Sequence, residues 1–406
     1  MENDNLKLKI VFWDTNSHIS KFVLVTLFLL PVYLVKIKFG WLSFNVLELL
    51  IIILFLFWVF DKNTKYTILN TKYTIPVALI FIGLVLSVIA NGNYYAGFGA
   101  IKGWFVVPII FGIIFFDALK KDDSLLKKSL LVLFFSGVAI SIFGVVYKFL
   151  DVVTFDGRLK IFWDSPNQLA MFLAIPFLIG LFFALQKQEV RAKRLYILSL
   201  TLVGLGLYFT YSYGAWLAMA VALIVIIWLK YSKKDHKKYL AIFAILLVAF
   251  LALASFFKYK SIENLGARSS LASRVTIWKS AGLMVEKNPL FGIGPGNFQE
   301  KYLEYQKYFP PYLEWSAPQP HNIFLAFWLE SGLLGLAGFV ILLFYFFCDN
   351  KKTIENNRDL GILFLGIIIY ILVHGLVDTT YWRNDLAVVF WVVVAMNICL
   401  AEKKQS

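Results

Sequence analysis

The sequence carries little charge for its length. Only 16% of its 406 residues are Asp, Glu, Lys or Arg, whereas an average soluble protein has about 25%. Hydrophobic residues make up 60% of the chain and aromatic residues 18%. This composition excludes a soluble globular enzyme and a disordered chain, and it predicts a protein that crosses a membrane several times.

Cysteines and cofactor motifs are equally scarce. The only cysteines, Cys348 and Cys399, lie near the ends of apolar runs, so no disulfide framework is indicated. The sequence has no phosphate-binding Gly-x-x-x-x-Gly-Lys-Ser/Thr loop and no Gly-x-Gly-x-x-Gly after a strand. No predicted outer loop has His, Cys and carboxylates at metal-ligand spacing. We therefore expect neither a metal nor a cofactor, and no nucleotide chemistry.

What the chain does have is a series of apolar runs long enough to span a bilayer, which takes about 20 residues per helix. No Ala-x-Ala-like cleavage site follows the first run, so we interpret it as a retained helix. The expected fold is an all-α polytopic membrane protein. Its 12 predicted helices cover about 22–39, 42–60, 73–90, 98–116, 125–150, 167–185, 194–211, 213–231, 239–257, 321–347, 359–377 and 384–400.

Basic residues give the predicted orientation. The 39 Lys and Arg outnumber 25 Asp and Glu, but they lie in the loops between apolar runs, which argues against a nucleic-acid partner. With the N-terminus in the cytoplasm, the cytoplasmic segments hold 24 Lys and Arg and the five short outer loops hold 6. The positive-inside rule then places both termini in the cytoplasm. Clusters such as 230–238 would face anionic membrane lipids, and orientation alone explains them.

One outer loop is unusually long. Residues 258–320 contain eight Lys and Arg and five Glu, and a loop of this length usually carries function. The pattern of Ser270–Lys287 predicts an amphipathic helix that Asn288-Pro289 ends, and 298–309 could form a second. The predicted organisation is a single membrane domain: nine helices in 1–257, a catalytic or substrate loop in 258–320, and three helices in 321–406.

His321 is the first candidate for chemistry because it begins the tenth predicted helix at the membrane boundary. A neutral imidazole there could accept a proton from a hydroxyl near pH 7; the alternative is a histidine at the helix N-terminus that only hydrogen-bonds a neighbour. Glu330 follows nine residues later, ~13 Å along the axis and on the opposite face. It is expected to be a structural hydrogen-bond partner within the bundle, although buried ionisable groups often carry function in membrane proteins.

Two arginines and a lysine could bind an anion on the outer face. The guanidinium groups of Arg274 and Arg158 match phosphate oxygens and suit a diphosphate lipid. For either one alone, contact with a headgroup or a surface ion pair remains an alternative. Lys102, near the outer end of the fourth predicted helix, could add charge to the same site or snorkel to the interface.

A second histidine–carboxylate combination lies near the outer end of the eleventh predicted helix. His374 and Asp378 are four residues apart and so share one helical face. Asp378 could orient a histidine, hold an arginine, or form a purely local pair with His374.

Several blocks, in order along residues 158–385, resemble the O-antigen ligase and O-antigen polymerase superfamily. The most specific feature is the long loop ending in His321-Asn322, with an Asn-Pro-Leu-x-Gly-x-Gly turn before it. The blocks are Ser-Pro-Asn-Gln-Leu-Ala at 165–170, Ser-Tyr-Gly-Ala-Trp at 212–216, 273–281, 288–298, 321–335 and His-Gly-Leu-Val-Asp at 374–378.

The resemblance implies a GT-C-like membrane glycosyltransferase in the bacterial cytoplasmic (inner) membrane, with its active site on the outer face. The donor would be a glycan on undecaprenyl diphosphate, and the acceptor a hydroxyl of a glycan, lipid or other surface molecule. The implied reaction inverts the anomeric centre and needs no metal. It assigns the general base to His321 and diphosphate stabilisation to Arg274 and Arg158.

The chain departs from the family pattern at one position. Many members have Ser-Arg-Gly where this chain has Ser212-Tyr213-Gly214, and Tyr213 brings a hydrogen bond without a positive charge. Lys102, Arg158 or Arg383 would then supply the missing cation, or the donor is held differently. The supporting residues implied by the motifs are Asn322, Asp378, His374, Asn167 and Glu330.

Four functional interpretations stay open on the sequence. A ligase and a repeat-unit polymerase of the superfamily differ only in the acceptor, which could also be a protein. A secondary transporter or flippase would have two similar halves and discontinuous helices, and no repeat is visible. A non-catalytic glycan-binding membrane component is the fourth, suggested only by Tyr213.

Overall fold

The computed structural model describes residues 17–39, 42–61, 72–187, 189–231, 270–310, 315 and 317–403. Apart from one β-hairpin, the regular structure in these ranges is helical. The helices are α1 (His18–Phe28), α2 (Val46–Phe60), α3 (Thr74–Asn91), α4 (Tyr94–Ile101), α5 (Val107–Lys121), α6 (Ser124–Phe149), α7 (Pro166–Leu185), α8 (Val190–Phe209), α9 (Tyr213–Lys230), α10 (Ser270–Lys287), α11 (Phe298–Tyr305), α12 (Ile323–Asn356), α13 (Arg358–Gly375) and α14 (Asn384–Glu402).

Nine helical spans within the described ranges are long and apolar enough to cross a membrane. α4 and α5 form one of them, joined by a π-helical turn over Lys102–Val106. α1 and α2 are apolar but shorter. The predicted class of polytopic helical membrane protein is confirmed, whereas the predicted helix at 239–257 lies outside the described residues.

The first predicted helix, 22–39, is wrong in extent. α1 ends at Phe28, and Pro31 lies in a 3₁₀ turn over Leu30–Leu34, since proline has no N–H to continue an α-helix. The following Lys36–Phe39 (β1) pairs antiparallel with Leu42–Asn45 (β2). The all-α prediction therefore missed this hairpin.

The second predicted helix, 42–60, begins later than expected for a related reason. Residues 42–45 form β2, and α2 starts at Val46. Asn45 accepts a hydrogen bond from the Glu48 backbone, and the Glu48 carboxylate accepts one from the Asn45 backbone. This capping box fixes the start of α2.

Helices are present at both positions predicted within 258–320. α10 spans Ser270–Lys287 and ends where Asn288-Pro289 was expected to end it. α11 spans Phe298–Tyr305 and continues as a 3₁₀ turn to Tyr308. Their Ile277, Met284, Phe298 and Tyr302 are buried in a small core that also includes Leu329 of α12.

Among the spans that the structure describes, α14 is the most enclosed, with 83% of its apolar stretch buried. Its residues are apolar on every side, which is the pattern of a helix in the centre of a bundle. α5 and α12 are among the helices that pack against it. The loop 376–383 that leads into α14 is consequently held in place at one end of the bundle.

α12 is interrupted at Gly332, whose φ of 66° and ψ of −173° are not helical. The backbone of the long loop fills the interruption: Leu333 N donates to Leu290 O at 2.9 Å, and Ile293 N donates to Leu329 O at 2.7 Å. A Cβ at position 332 would lie 2.3 Å from Leu290 O. The break thereby anchors the segment that follows α10 to the bundle.

α3 and α12 approach each other closely at small residues. A Cβ added to Gly83 would lie 2.4 Å from Ser331 O and 2.6 Å from Gly335 N. Both neighbours are backbone atoms that cannot rotate away. This contact sets the distance between α3 and the α12 break.

We therefore expect Gly83→Ala to separate α3 from α12 and lower the free energy of unfolding by about 1–3 kcal/mol, the usual cost of overpacking. The measurement is the apparent Tm of the purified protein in detergent. The control is Gly99→Ala, because a Cβ at Gly99 meets nothing within 4 Å. An equal Tm for the Gly83→Ala and Gly99→Ala variants would contradict the close approach of α3 to α12.

Candidate active site

The site is centred on Asp378, in the loop between α13 and α14. Its side chain is buried, and its Oδ1 accepts a hydrogen bond from Thr379 N at 2.9 Å. Burial alone would raise the pKa of Asp378, but the charge and hydrogen bond of His321 and the charge of Arg274 lower the pKa below its usual range. The carboxylate therefore stays ionised at neutral pH.

His321 lies beside this carboxylate. Its Nδ1 is 3.0 Å from Asp378 Oδ1, and its side chain is 29% exposed. Its backbone is in the left-handed region, with φ of 48°. That conformation is uncommon outside glycine and persists where the surroundings hold it, often at functional sites.

Two neighbours hold the His321 backbone. Trp278, on α10, donates from Nε1 to His321 O at 3.1 Å. Asn322 caps α12 by accepting from the backbone N–H groups of Phe324 and Leu325, and its Nδ2 donates to Leu376 O at 3.1 Å. The imidazole is thus fixed relative to the loop that carries Asp378.

Arg274, on α10, reaches the same loop from the other side. Its Nε donates to Val377 O at 2.6 Å, and its Nη2 is 3.5 Å from Asp378 Oδ2. One carboxylate therefore faces the histidine through one oxygen and the arginine through the other. Two of the alternatives for Asp378 therefore apply together, because its carboxylate contacts both a histidine and an arginine.

Arg158 supplies a second guanidinium near this group. Its Nε donates to Thr210 O at 2.8 Å and its Nη2 to Asn167 Oδ1 at 2.7 Å. Burial lowers the pKa of Arg158, Asp156 opposes that shift, and the positive charge of Arg274 adds to it. The two arginines are therefore close enough to feel each other's charge, which is an arrangement suited to an anion.

Tyr213 begins α9 next to this pair of arginines. Its side chain is 41% exposed, and its hydroxyl interacts electrostatically with Arg158. The ring packs edge-on against Trp216, with the centroids 5.2 Å apart. Tyr213 thus lies beside an arginine.

His374 does not pair with Asp378, although the two are four residues apart. It is fully buried, and its Nδ1 lies 2.9 Å from the Tyr370 hydroxyl. A Cβ at Gly214 would lie 3.4 Å from His374 Nε2, so the glycine lets α9 approach the imidazole. His374 is therefore a packed neighbour of the site.

Lys102 and Arg383 are engaged elsewhere in the described structure. Lys102 Nζ is 2.8 Å from Glu48 Oε2 and 2.5 Å from Ser43 O. Arg383 contacts both oxygens of Asp385, at 2.6 and 2.8 Å. Neither has a described contact with His321, Arg274 or Arg158.

Glu330 also lies apart from His321. It is 1% exposed, just before the α12 break, and it hydrogen-bonds the backbone of Gly296. Its position links α12 to the glycine-rich turn of the long loop.

Trp278 is a site residue to which the sequence had suggested no role. It follows Arg274 by four residues on α10, so both project from one helical face. That spacing was visible in the sequence and could have predicted that the two contact the same region.

The fold and site together define a polytopic helical membrane protein with a histidine, a carboxylate and two arginines gathered at one end of the bundle. Residues 197–340 match the family model described as O-antigen ligase. The segment that holds His321 and Arg274 is therefore similar to the O-antigen ligase family, which confirms the resemblance that the motifs indicated. Arg158, Asn167, His374 and Asp378 lie outside the matched segment.

A second comparison points to an uncharacterized protein of Haemophilus influenzae (strain ATCC 51907 / DSM 11121 / KW20 / Rd). The two are 24% identical over 175 residues. The aligned region covers 38% of this chain and 43% of that relative, so it spans less than half of either protein.

The lowered pKa of Asp378 gives a prediction about stability. Its ionised form contributes stability above the ordinary aspartate pKa of about 4, and this is lost as pH falls toward the lower folded pKa. Asp378→Asn should cost about 3 kcal/mol at pH 7, because Arg274 and His321 lose a buried partner. The measurement is apparent Tm against pH.

The difference in Tm between wild type and Asp378→Asn should shrink between pH 4 and pH 2. Asp151→Asn, at an exposed aspartate, is the control and should melt like wild type throughout. A difference that is the same at pH 7 and pH 3 would mean that the ionised carboxylate does not stabilise the fold.

Proposed function

We propose that this protein transfers a glycan from undecaprenyl diphosphate to an acceptor hydroxyl at the outer face of the bacterial cytoplasmic membrane. The match to the O-antigen ligase family supports an enzyme of the ligase or polymerase type. The observation that carries the mechanism is the Asp378 carboxylate between His321 and Arg274, with Arg158 nearby.

His321 is the proposed general base. An ionised carboxylate can only accept hydrogen bonds, so Asp378 favours the tautomer with the proton on His321 Nδ1. The lone pair is then on Nε2, which would take the proton from the acceptor hydroxyl. The hydroxyl oxygen forms its bond to the anomeric carbon while the bond from that carbon to the diphosphate breaks.

Arg274 and Arg158 are proposed to stabilise the departing diphosphate, which leaves with the bonding electrons. Two guanidinium groups and one carboxylate leave the site positive while His321 is neutral. Preorganised cations of this kind lower the barrier most where negative charge grows. A single displacement from the opposite face would invert the anomeric centre, and no step requires a metal.

The proposed ligase and polymerase activities share this chemistry and differ in the acceptor. A transporter or flippase is the second candidate, and the interrupted α12 is the observation that favours it, since discontinuous helices bind substrates in transporters. Against it, backbone groups of the long loop fill that interruption. The enzyme is therefore our first proposal.

The deciding assay supplies the purified protein in nanodiscs with an undecaprenyl-diphosphate oligosaccharide, no second acceptor, and EDTA. A ladder of longer lipid-linked glycans would identify a metal-independent polymerase. Donor binding without a ladder would identify a ligase that needs a separate acceptor. Absence of donor binding would overturn the enzyme proposal in favour of a transporter.

His321→Ala is expected to lower the transfer rate by about 10²–10⁴-fold, the usual contribution of a positioned acid or base. The rate is measured with the acceptor that the assay above identifies. The matched control is His18→Ala, which removes an exposed histidine at the start of α1. Wild-type turnover of a correctly folded His321→Ala protein would remove the base assignment.

Arg274→Lys is expected to lower transfer by about 10²-fold or more, because an ammonium cannot donate to Val377 O and present a planar fork to phosphate at once. The initial transfer rate at saturating donor measures this. The control is Arg194→Lys, at an exposed arginine on α8. Unchanged turnover would assign Arg274 a structural role.

A further inference from the structure

A cleft lies at the end of the bundle away from His321. α12 begins beside His321 and runs to Asn356, and Asn357, at its far end, lines the cleft. The first turn of α6 and the last turn of α7 also border it. Membrane spans start and stop at this level, so the cleft lies where the bundle meets the headgroups.

The cleft consists of two adjoining cavities of about 440 and 210 Å³. The two cavities share part of their lining, so they are adjacent. The shared residues are Leu126, Lys127, Asn357 and Leu360. The larger cavity falls in the range of pockets that hold small molecules, about 300–1,000 Å³. We call the pair the lysine cleft.

Much of the wall of the larger cavity is apolar. Leu130 and Phe183 are buried side chains of this wall. Tyr196 stacks on Phe183 with ring centroids 5.4 Å apart and an interplanar angle of 16°. Such a wall suits a hydrocarbon chain better than a soluble ion.

Two lysines at the cleft have uncompensated charge. Lys127 is in the first turn of α6 and Lys187 follows the end of α7, and both are exposed. Within the residues that the structure describes, neither ammonium has an ion pair or a side-chain hydrogen bond. Both are available to a ligand.

The carboxylates at the cleft already have hydrogen-bond or ion-pair partners. Asp359 lies 3.3 Å from Gln186 Nε2 and 3.4 Å from Lys230 Nζ. Asp123 lies 2.5 Å from Lys403 Nζ. With the acidic groups paired and Lys127 unpaired between the two cavities, the cleft is complementary to an anion.

We propose that the lysine cleft binds an anionic membrane lipid, with its phosphate at Lys127 and Lys187 and an acyl chain along Leu130, Phe183 and Tyr196. Ammonium groups bind phosphate as compact point charges, and basic pockets between membrane helices accept such headgroups. The site is separate from the His321 cluster and does not depend on the proposed reaction.

The test is native mass spectrometry of the full chain, purified in a neutral detergent and titrated with phosphatidylglycerol or phosphatidylcholine. Wild type should retain phosphatidylglycerol preferentially. Lys127→Gln/Lys187→Gln should weaken its binding about 30-fold, since each of the two lysines removed would otherwise attract the anionic headgroup. An unchanged Tm in the neutral detergent verifies that the variant is folded.

The matched control is Lys128→Gln/Lys193→Gln, which makes the same change in net charge near the starts of α6 and α8, at residues that do not line the cleft. It should bind phosphatidylglycerol like wild type. Equal loss in the control, or equal retention of phosphatidylcholine, would overturn the proposal. Displacement of the lipid by millimolar glycerol phosphate would also overturn it, by identifying a soluble phosphate as the ligand.

Discussion

The candidate site depends on one buried charge with two partners. A carboxylate in a membrane bundle is costly unless hydrogen bonds and opposite charge compensate it. Asp378 receives both, from His321 and from Arg274, which are 57 and 104 residues away along the chain. The same interaction therefore orders the histidine and holds α10 of the long loop against the loop before α14.

The members of the site were predictable from the sequence, but their pairing was only partly so. His321, Arg274, Arg158 and Asp378 stood out as polar or charged groups on the predicted outer face. The spacing of four between His374 and Asp378 suggested a local pair, yet His374 contacts Tyr370, which is also four residues away. Helical spacing gives the face of a helix, and packing decides which neighbour a side chain contacts.

The two cations that the structure places elsewhere illustrate the same limit. Arg383 has Asp385 two residues away, so its partner was visible in the sequence. Lys102 is paired with Glu48, 54 residues away on another helix, and that contact follows only from the packing of α2 beside the π-helical turn. Whether either cation assists the proposed reaction stays a prediction.

Hydropathy predicted most of the spans because a helix must satisfy its own backbone within hydrocarbon. It failed at 22–39. The mean hydropathy of this run is high, although Pro31 cannot continue the α-helix and Lys36-Ile37-Lys38 alternates as a strand does. It also gave no sign of the α12 break, because one glycine within an apolar run is compatible with an uninterrupted helix.

The α12 break links the order of synthesis to assembly. The amide of Leu333 and the carbonyl of Leu329 obtain their partners from residues 290 and 293, which leave the ribosome about 40 residues earlier. The partner segment therefore exists before the span that needs it. A chain whose long loop is undocked would leave the Leu333 amide and the Leu329 carbonyl without these partners, which is costly within hydrocarbon.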